Sequence, residues 1–335
     1  MPKINSYRPF TPNPEQMAKM PDISGNSING LYEKNFRRPS YVYWGNDPND
    51  IIYGDLQKWF YTVDPKDPGF SKEREKRQKT LNQPLEAINQ TKVKWSDKNW
   101  SKNLASFKNE KIFDKIGSTK FNSDWAFEGV NINYENIILL GFQHEYKNIS
   151  EAPKTTAGVE VMRQYSRAAS GAKNIANWLR KLGWDSEPLT GPMSGKITMV
   201  PAAIEAGFGE LGKHGSIINP EFGSSFRLSA ILTNAPIPLS SKQDHKVDDF
   251  CSKCRICEDA CPPEAIFKEK KIVRGIKKWY VDFDKCIPFF NEHQGCAICI
   301  AVCPWSKPGV GFNLAAKLQS RAKRLTEKQV KIKLK

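Results

Sequence analysis

Two cysteine-rich stretches decide the fold: FCSKCRICEDACPPEAI at residues 250–266 and DKCIPFFNEHQGCAICIAVCPWS at residues 284–306. Together they hold all eight cysteines of the 335-residue chain. The first stretch has the spacing Cys-x2-Cys-x2-Cys-x3-Cys-Pro, and the second has Cys-x9-Cys-x2-Cys-x3-Cys-Pro. Since each stretch ends in Cys-Pro, the two are variants of one pattern.

The first spacing is typical of proteins with two [4Fe–4S] clusters, in which three closely spaced thiolates hold one cubane and the fourth cysteine ligates the other. A tight Cys-x2-Cys-x2-Cys loop wraps one corner of a cubane, and the cysteine after x3 begins a segment that leads away. The x9 spacing departs from the usual x2, so Cys286 is the ligand with the least regular spacing. The predicted sets of ligands are Cys251, Cys254, Cys257 and Cys303 for one cluster, and Cys261, Cys286, Cys296 and Cys299 for the second.

Disulfides and zinc are the other common uses of paired cysteines. Disulfides need an oxidising compartment, and the first residues, MPKINSYRPF, show no apolar segment or cleavage site of an export signal. Structural zinc uses CxxC pairs and does not require Cys-Pro twice. The absence of any run of about 18 apolar residues predicts no membrane span. We therefore expect a cytoplasmic iron–sulfur protein.

The chain is basic, with a net charge of +15 and a pI of about 9.3. Nine Lys and Arg against one acid give the segment after residue 305 a charge of +8. The simplest interpretation of residues 307–335 is a solvated and partly disordered tail. The alternative is a docking surface for an acidic electron donor, a ferredoxin or flavodoxin, beside the last cysteine.

Upstream of the cysteines, residues 111–245 have the pattern of a packed α+β domain. Residues 1–110 are predicted to form a loop-rich segment that packs on this core through aromatic clusters, with an exposed charged helix face at 72–79. The predicted elements of the core are a buried strand at Ile137–Leu140, a long amphipathic helix at Thr156–Leu182 ended by Gly183, a short helix at Pro201–Ala206, a strand of alternating faces at Ser225–Thr233, and a linker at Ala235–Asp249.

A glycine-rich turn follows the short helix. Gly207, Gly209 and Gly212 spell GxGxxG, but a helix precedes them, and Lys213-His214 stands where a packing helix should begin. The turn is therefore a poor dinucleotide fingerprint. Its glycines do permit a close approach of the backbone to a large cofactor.

Three stretches carry a resemblance to a known family. AIEAGFGELGKHGSIINPEFGSSFRLSAILTNAPI at 203–237, VMRQYSRAASGAKNIANWLRKLGW at 161–184 and the two cysteine stretches resemble the reductive dehalogenase family, which consists of corrinoid-dependent enzymes with two [4Fe–4S] clusters. The resemblance covers about residues 130–306. It implies a nitroreductase-like, cobalamin-binding core at 111–245 and a bacterial ferredoxin-like domain with two clusters at 246–306.

A sister family, epoxyqueuosine reductase, shares that core and the cluster module. It usually has an aromatic residue at the position of Arg227 and a longer insertion between the first two cysteines of the second stretch, so both details favour the dehalogenases. The cobalamin motif DxHxxG is absent, which suggests a base-off corrinoid without a histidine ligand of that type.

The resemblance also implies the roles of individual residues. Tyr165 matches the family's proton donor, and Arg227 matches the basic residue that favours the phenolate and holds the departing halide. A third polar residue is expected in the loop 192–198, where Lys196 or Ser194 could serve. The residues predicted to contact the corrinoid are Gly207, Gly209, Gly212, Lys213, His214 and Ser194.

The leading hypothesis is reductive dehalogenation of an organohalide, most simply an aromatic one, by a protein that could form a homodimer. One alternative is an epoxyqueuosine reductase-like enzyme that acts on tRNA, which would also explain the positive charge. Another is a non-catalytic electron carrier, which would contain iron and sulfide but no cobalt.

Overall fold

The computed structural model describes residues 6–62, 67–191 and 195–333, with side chains up to residue 327. The helices are α1 (Pro14–Met17), α2 (Gly25–Ile28), α3 (Gly54–Phe60), α4 (Pro68–Asn82), α5 (Asp97–Asn109), α6 (Tyr146–Ile149), α7 (Thr155–Lys181), α8 (Met199–Glu205), α9 (Val247–Lys253), α10 (Ile256–Ala260), α11 (Phe283–Glu292), α12 (Ile298–Ala301) and α13 (Val310–Lys333). The strands are β1 (Lys115–Lys120), β2 (Asn136–Gln143), β3 (Ser186–Leu189), β4 (Glu210–Leu211), β5 (Ile217–Ile218), β6 (Phe226–Thr233), β7 (Lys271–Val273) and β8 (Ile276–Lys278).

The core is a four-stranded antiparallel sheet with the strand order β1-β2-β6-β3. The central strands β2 and β6 are almost entirely buried because both of their faces are covered. Pro188 lies in the edge strand β3, where its missing N–H costs no ladder hydrogen bond. The predicted strands at 137–140 and 225–233 thus form the middle of the sheet.

Helix α7 covers one face of the sheet. Ile138, Leu140 and Ile231 of the sheet point towards the helix. The helix presents small side chains to them, such as Ala168 and Ala172, which allow close packing. The helix runs from Thr155 to Lys181, so it begins and ends one residue before the predicted bounds, and Gly183 follows it in the left-handed conformation, as predicted for a helix stop.

The opposite face of the sheet packs against α8 and the glycine-rich turn. Ile137, Leu139, Ala230 and Leu232 meet Phe208 there. The alternation predicted for β6 is therefore confirmed: Ala230 and Leu232 face α8, whereas Ile231 faces α7. The same alternation places Arg227 on the α7 side.

The N-terminal residues divide into two parts. Helices α4 and α5 pack on the core, α4 against α7 and α5 through the fully buried Trp100. The earlier part packs on the cysteine-rich region, since Tyr53 and Leu56 share a buried cluster with Ile287 of α11. The segment thus contacts both the core and the cysteine region and is more helical than its composition suggests.

Three sequence interpretations need correction. The charged stretch at 72–79 is not simply an exposed face, because Glu73 and Arg77 of α4 are buried. The segment 235–249 is not only a linker, because Ala235 and Ile237 belong to the core and α9 begins at Val247. The basic C-terminal segment forms the 24-residue helix α13 instead of a partly disordered tail.

Candidate active site and iron–sulfur centres

Short helices hold the eight cysteines. Helix α9 carries Cys251, α10 carries Cys257, α11 carries Cys286 and α12 carries Cys299, and the remaining cysteines lie directly beyond helix ends. Cys296 and Ala297 both have positive φ, which folds the chain sharply around the second group. Short helices and tight turns thus bring the thiols of each stretch towards one another, as the spacing of the cysteines requires.

The thiols fall into two neighbouring groups of four. Mutual repulsion of their thiolates couples Cys303 with Cys251, Cys254 and Cys257. The same effect couples Cys286 with Cys261, Cys296 and Cys299. Cys299 also interacts with Cys257 and Cys303, so the two groups adjoin. The grouping agrees with the ligand sets that the cross-ligation rule predicts, and these sets stay predictions.

The chemistry of this donor set fits a pair of iron–sulfur cubanes. All eight cysteines are free thiols. Burial raises the pKa of Cys251 and of Cys257 to about 12, with a further contribution from neighbouring thiolates. Thiolates so placed need a positive partner, which a cluster's iron supplies. In the described part of the chain no three His, Cys, Asp or Glu side chains are arranged to hold a single metal ion.

Lys213 lies beside the first cysteine group. Its ammonium donates to the carbonyl oxygen of Cys254 at 2.9 Å, lies 3.5 Å from Glu258 and sits 5.2 Å from the centre of the Trp279 ring. The side chain is almost completely buried. Its positive charge favours the thiolates of Cys251 and Cys257, so the lysine lies beside the first cysteine group, and its contact with a corrinoid stays a prediction.

A large cavity of about 1430 Å³ lies between the N-terminal segment, the core and the second cysteine group. Its volume exceeds the roughly 300–1,000 Å³ usual for small-molecule sites, so it can accept a cofactor the size of a corrinoid together with a substrate. The side chains along its wall that matter most here are Tyr165, Arg227, His214, Arg74, Arg77, Cys261, Cys286, Cys296 and Cys299.

Tyr165 and Arg227 meet at the wall of this cavity. Tyr165 projects from the middle of α7, and Arg227 lies on the α7 side of β6, with its guanidinium carbon 5.2 Å from the centre of the tyrosine ring. The Nε of Arg227 is buried and has no hydrogen-bond partner. The structure therefore brings together the two residues that the sequence predicted as proton donor and anion holder.

His144 completes the surroundings of Arg227. It follows β2, is 2% exposed and has its Nδ1 3.2 Å from the Ser225 hydroxyl. Burial, with the positive charge of Arg227, holds the pKa of His144 well below its usual value, so the ring is neutral. Sequence reasoning missed this residue, because a single histidine after a strand carries no motif.

His214 is the one predicted corrinoid contact that lines the cavity among those whose positions the structure describes. Its Nδ1 accepts a hydrogen bond from the Ser216 N–H, and its Nε2 is buried without a partner. Burial lowers the pKa of His214 to about 4, so the ring is neutral at pH 7. This orphaned nitrogen and that of Arg227 are polar atoms that a bound cofactor or substrate could satisfy.

The three glycines have a structural role of their own. Gly207, Gly209 and Gly212 are not among the described residues that line the cavity, so their contact with a corrinoid stays a prediction. A Cβ at Gly209 would lie 2.1 Å from the carbonyl oxygen of Ile218, and Gly209 has φ +124°. The glycines are therefore needed to close the β4–β5 hairpin against the core, and its tip, with His214, reaches the cavity instead.

Of the two candidates for the third polar residue, the structure describes Lys196. It is about half exposed and forms a 2.7 Å salt bridge with Glu187 of β3. Its charge is therefore paired at the surface, and a role for Lys196 in the chemistry stays a prediction. Ser194 lies outside the described residues.

The N-terminal segment supplies cavity residues that the sequence did not identify as functional. Arg74 and Arg77 of α4 line the cavity with the aromatic side chains of Trp44, Phe60 and Tyr61. An i, i+3 arginine pair within a run of charges looks like a solvated helix face. The available signal was the adjacent aromatic clusters, since aromatic side chains can line a substrate pocket as well as anchor a loop.

Comparisons with known proteins agree with this geometry. Residues 250–307 match the family model of the 4Fe-4S dicluster domain. The tetrachloroethene reductive dehalogenase of Desulfitobacterium hafniense is 32% identical over 205 residues, which cover 57% of this chain and 36% of that protein. The chain is similar to the reductive dehalogenases over more than half of its length. It spans about a third of the length of these curated dehalogenases.

Two further similarities concern the sister family and the fold. The epoxyqueuosine reductase of Vibrio cholerae is 31% identical over 159 residues, 43% of this chain and 42% of that protein, in keeping with a sister family. A solved catabolic reductive dehalogenase in complex with 3-bromo-4-hydroxybenzoic acid has a TM-score of 0.72 at 20% identity, covering 86% of this chain and 44% of that one. This likeness confirms the predicted fold class, α+β with a C-terminal iron–sulfur domain.

Proposed function

We propose that this chain catalyses corrinoid-dependent reductive dehalogenation, R–X + 2 e⁻ + H⁺ → R–H + X⁻, with an organohalide as substrate. The observation that supports it best is the pairing of Tyr165 with Arg227 at 5.2 Å on the wall of a 1430 Å³ cavity. Four cysteines of the second group share that wall. Acid, anion holder and electron source thus border one space.

The chain's own residues supply the proton and hold the halide. The Tyr165 hydroxyl is the proton donor to the carbon from which the halide departs. Arg227 faces the same space with its Nε unbonded, so its guanidinium can bind the departing anion and stabilise the phenolate that remains. Neutral His144 behind Arg227 offers no competing negative charge, which leaves the guanidinium free for the substrate.

A corrinoid, proposed to be base-off, would supply the low-valent cobalt chemistry that breaks the carbon–halogen bond, fed by electrons from the clusters. The residues that would contact it include His214, Gly215 and Ser216 at the tip of the β4–β5 hairpin. The similarity to reductive dehalogenases and the size of the cavity support this cofactor.

The proposed substrate is a halogenated aromatic. Several aromatic side chains line the cavity from the N-terminal side, among them Trp44, Phe60, Tyr61 and Phe70. Flat, polarizable walls of this kind favour an aromatic ring. The solved structural neighbour holds 3-bromo-4-hydroxybenzoic acid, which points in the same direction.

The proposed electron donor is an acidic protein, a ferredoxin or flavodoxin. Helix α13 packs through Leu314, Ala315 and Leu318 onto the buried cluster that contains Cys251 and Cys303. This packing brings a basic helix next to the first cysteine group. A donor that docks on α13 would lie close to that group, and its affinity for the protein should fall steeply with added salt. A cytoplasmic location and a homodimer stay predictions, and no described helix is long and apolar enough to cross a bilayer.

The test is halide release from bromophenols or bromobenzoates by anaerobically reconstituted protein supplied with a chemical reductant. Release that depends on added cobalamin, and disappears when it is withheld, is the expected result. No release from any aromatic or chlorinated-ethene substrate by protein that contains cobalt and iron would reject the proposal.

The second candidate is an epoxyqueuosine reductase-like activity on tRNA. The similarity to the Vibrio cholerae enzyme and the basic helix α13 favour it. Tight, salt-sensitive binding of tRNA would support this candidate, since phosphate contacts release counterions. Arg227 stands against it, because that family usually has an aromatic residue at this position.

A further inference from the structure

Helix α4 places two arginines in the cavity on the side of the N-terminal segment. It begins at the N-cap Asp67, whose side chain accepts from the N–H groups of Gly69 and Phe70, and it packs along α7. Arg74 and Arg77 are one turn apart and point into the same space as Tyr165. The electrostatic coupling of Arg77 with both Tyr61 and Tyr165 shows that its guanidinium lies near the proposed proton donor.

Arg77 is a buried charge that forms no salt bridge with any acid among the described residues. It is 9% exposed, and its Nη2 donates to the carbonyl oxygen of Gly191 at 2.6 Å. Its Nε is buried with no partner. Burial lowers the pKa of Arg77, but an arginine stays charged at pH 7. A buried, uncompensated charge is costly to folding and is retained where a ligand satisfies it.

No acid in the described part of the chain forms a salt bridge with Arg74 or Arg77. Glu73, one turn earlier on α4, bonds Lys76 at 3.0 Å. Glu75 and Asp124 line the cavity, but neither forms a salt bridge with Arg74 or Arg77 within the described part of the chain. The positive charge of the α4 arginines is therefore left for a bound anion.

Arg74 is held ready beside Arg77. Its guanidinium carbon lies 5.1 Å from the centre of the Phe70 ring and 5.6 Å from that of Tyr61. Its Nε is also buried and unpartnered. Stacking on two rings fixes a guanidinium without consuming its hydrogen bonds, so both arginines can present donors to one planar carboxylate.

A second, small cavity next to Tyr165 relates the position of Arg77 to that of Arg227. Gly191, which accepts the hydrogen bond from Arg77, lines it together with Tyr165 and Arg227. An aromatic ring that reaches from Arg77 to Tyr165 would therefore have a cation at each end, Arg227 beside the halogen and Arg77 beside a second group.

We propose that Arg77, assisted by Arg74, binds the carboxylate of an anionic haloaromatic substrate and so restricts the enzyme to acids over neutral haloarenes. The inference rests on the proposed function. It adds the substrate's charge and assigns its recognition to α4, a helix of the N-terminal segment outside the core and the iron–sulfur domain.

The test uses full-length protein loaded with clusters and hydroxocobalamin, and it compares 3-bromobenzoate with 3-bromobenzamide, which has a similar shape but no charge. Equilibrium dissociation constants are measured by quenching of tryptophan fluorescence and halide release by ion chromatography. The variants are Arg77→Gln, Arg77→Lys, Arg74→Gln and the control Lys79→Gln, which removes an exposed charge from the same helix. Iron, cobalt and circular dichroism establish that each variant is folded and loaded.

The wild type should bind the benzoate more tightly than the benzamide. Arg77→Gln should weaken benzoate binding by roughly tenfold to a hundredfold and leave benzamide binding unchanged, because one charge-assisted bond is lost. Arg77→Lys should retain part of the preference, and Lys79→Gln all of it. Should Arg77→Gln fail to fold, Arg74→Gln is expected to reduce the same preference by a smaller factor.

Equal weakening of both ligands, no preference in the wild type, or loss of cobalamin with an unchanged preference would overturn the assignment; the last result would mean that Arg77 holds the cofactor. Selective binding of the benzoate with no halide release from any compound would leave the anion site standing and reject the dehalogenase proposal. The two failures are thus distinguishable.

Discussion

Replacing Tyr165 by Phe should abolish most of the turnover while leaving the site assembled. The substitution deletes only the hydroxyl. The ring keeps its packing against Ile149, Val161 and Ala297, and Arg227 keeps its position 5.2 Å from the ring centre. Because a positioned general acid contributes about 10²- to 10⁴-fold, the rate should fall by that factor, about 3–5 kcal/mol in activation free energy, with little change in KM.

The assay is halide release under steady-state conditions, with cobalt and iron measured in the same samples. Tyr146→Phe is the matched control, since Tyr146 contacts the same buried cluster but does not line the described cavity. The double variant with Arg227→Gln should be less than additive if the two residues act as one unit. A Tyr165→Phe protein with normal metal content and a rate within about threefold of wild type would refute the assignment of the proton donor.

Three further predictions follow from single sites. Cys303→Ala should remove about half of the iron and leave the cluster of the other cysteine group visible by electron paramagnetic resonance; loss of all iron or of none would contradict the cross-ligation. Burial lowers the pKa of Lys278 to about 8, so its charge destabilises the fold fully below pH 8 and no longer does so above about pH 10.5. Lys278→Met should therefore stabilise the protein at pH 7, by at most roughly 3 kcal/mol, and raise the midpoint of anaerobic thermal unfolding. The gain should disappear by about pH 10.5, and a gain independent of pH would argue against a buried charge. Gly209→Ala should prevent folding because its Cβ would collide with the Ile218 backbone, while Gly129→Ala, at a positive φ with open space around it, should cost only about 1 kcal/mol in a urea titration; similar losses would show that φ and not the collision is decisive.

Local patterns predicted much of this fold. The spacing of the cysteines predicts both ligand sets, because the geometry of a cluster depends on short sequence separations. The 3.6-residue period of α7 and the two-residue period of β6 gave the faces on which Tyr165 and Arg227 meet. Resemblance to a family was needed to give those two residues a role.

Other features depend on distant contacts and could not be read locally. Residue type alone made Lys196 a candidate for the chemistry and Lys213 a candidate for the corrinoid site. The structure adds that Lys196 pairs with Glu187 at the surface and that Lys213 donates to the Cys254 carbonyl. The charged run at 72–79 looked solvated because only tertiary packing against α7 buries Arg77. The basic C-terminal helix is ordered by its contacts with the cluster around Cys251 and Trp305, which its own composition does not reveal.

The most direct test of the central claim, that two cubanes serve a corrinoid in the cavity beside Tyr165, is metal analysis of protein reconstituted anaerobically with iron, sulfide and hydroxocobalamin and then desalted. The expected result is about eight irons and one cobalt per chain, in keeping with a dicluster domain and one large cavity. About eight irons with no retained cobalt would contradict the claim and leave an electron-transfer protein.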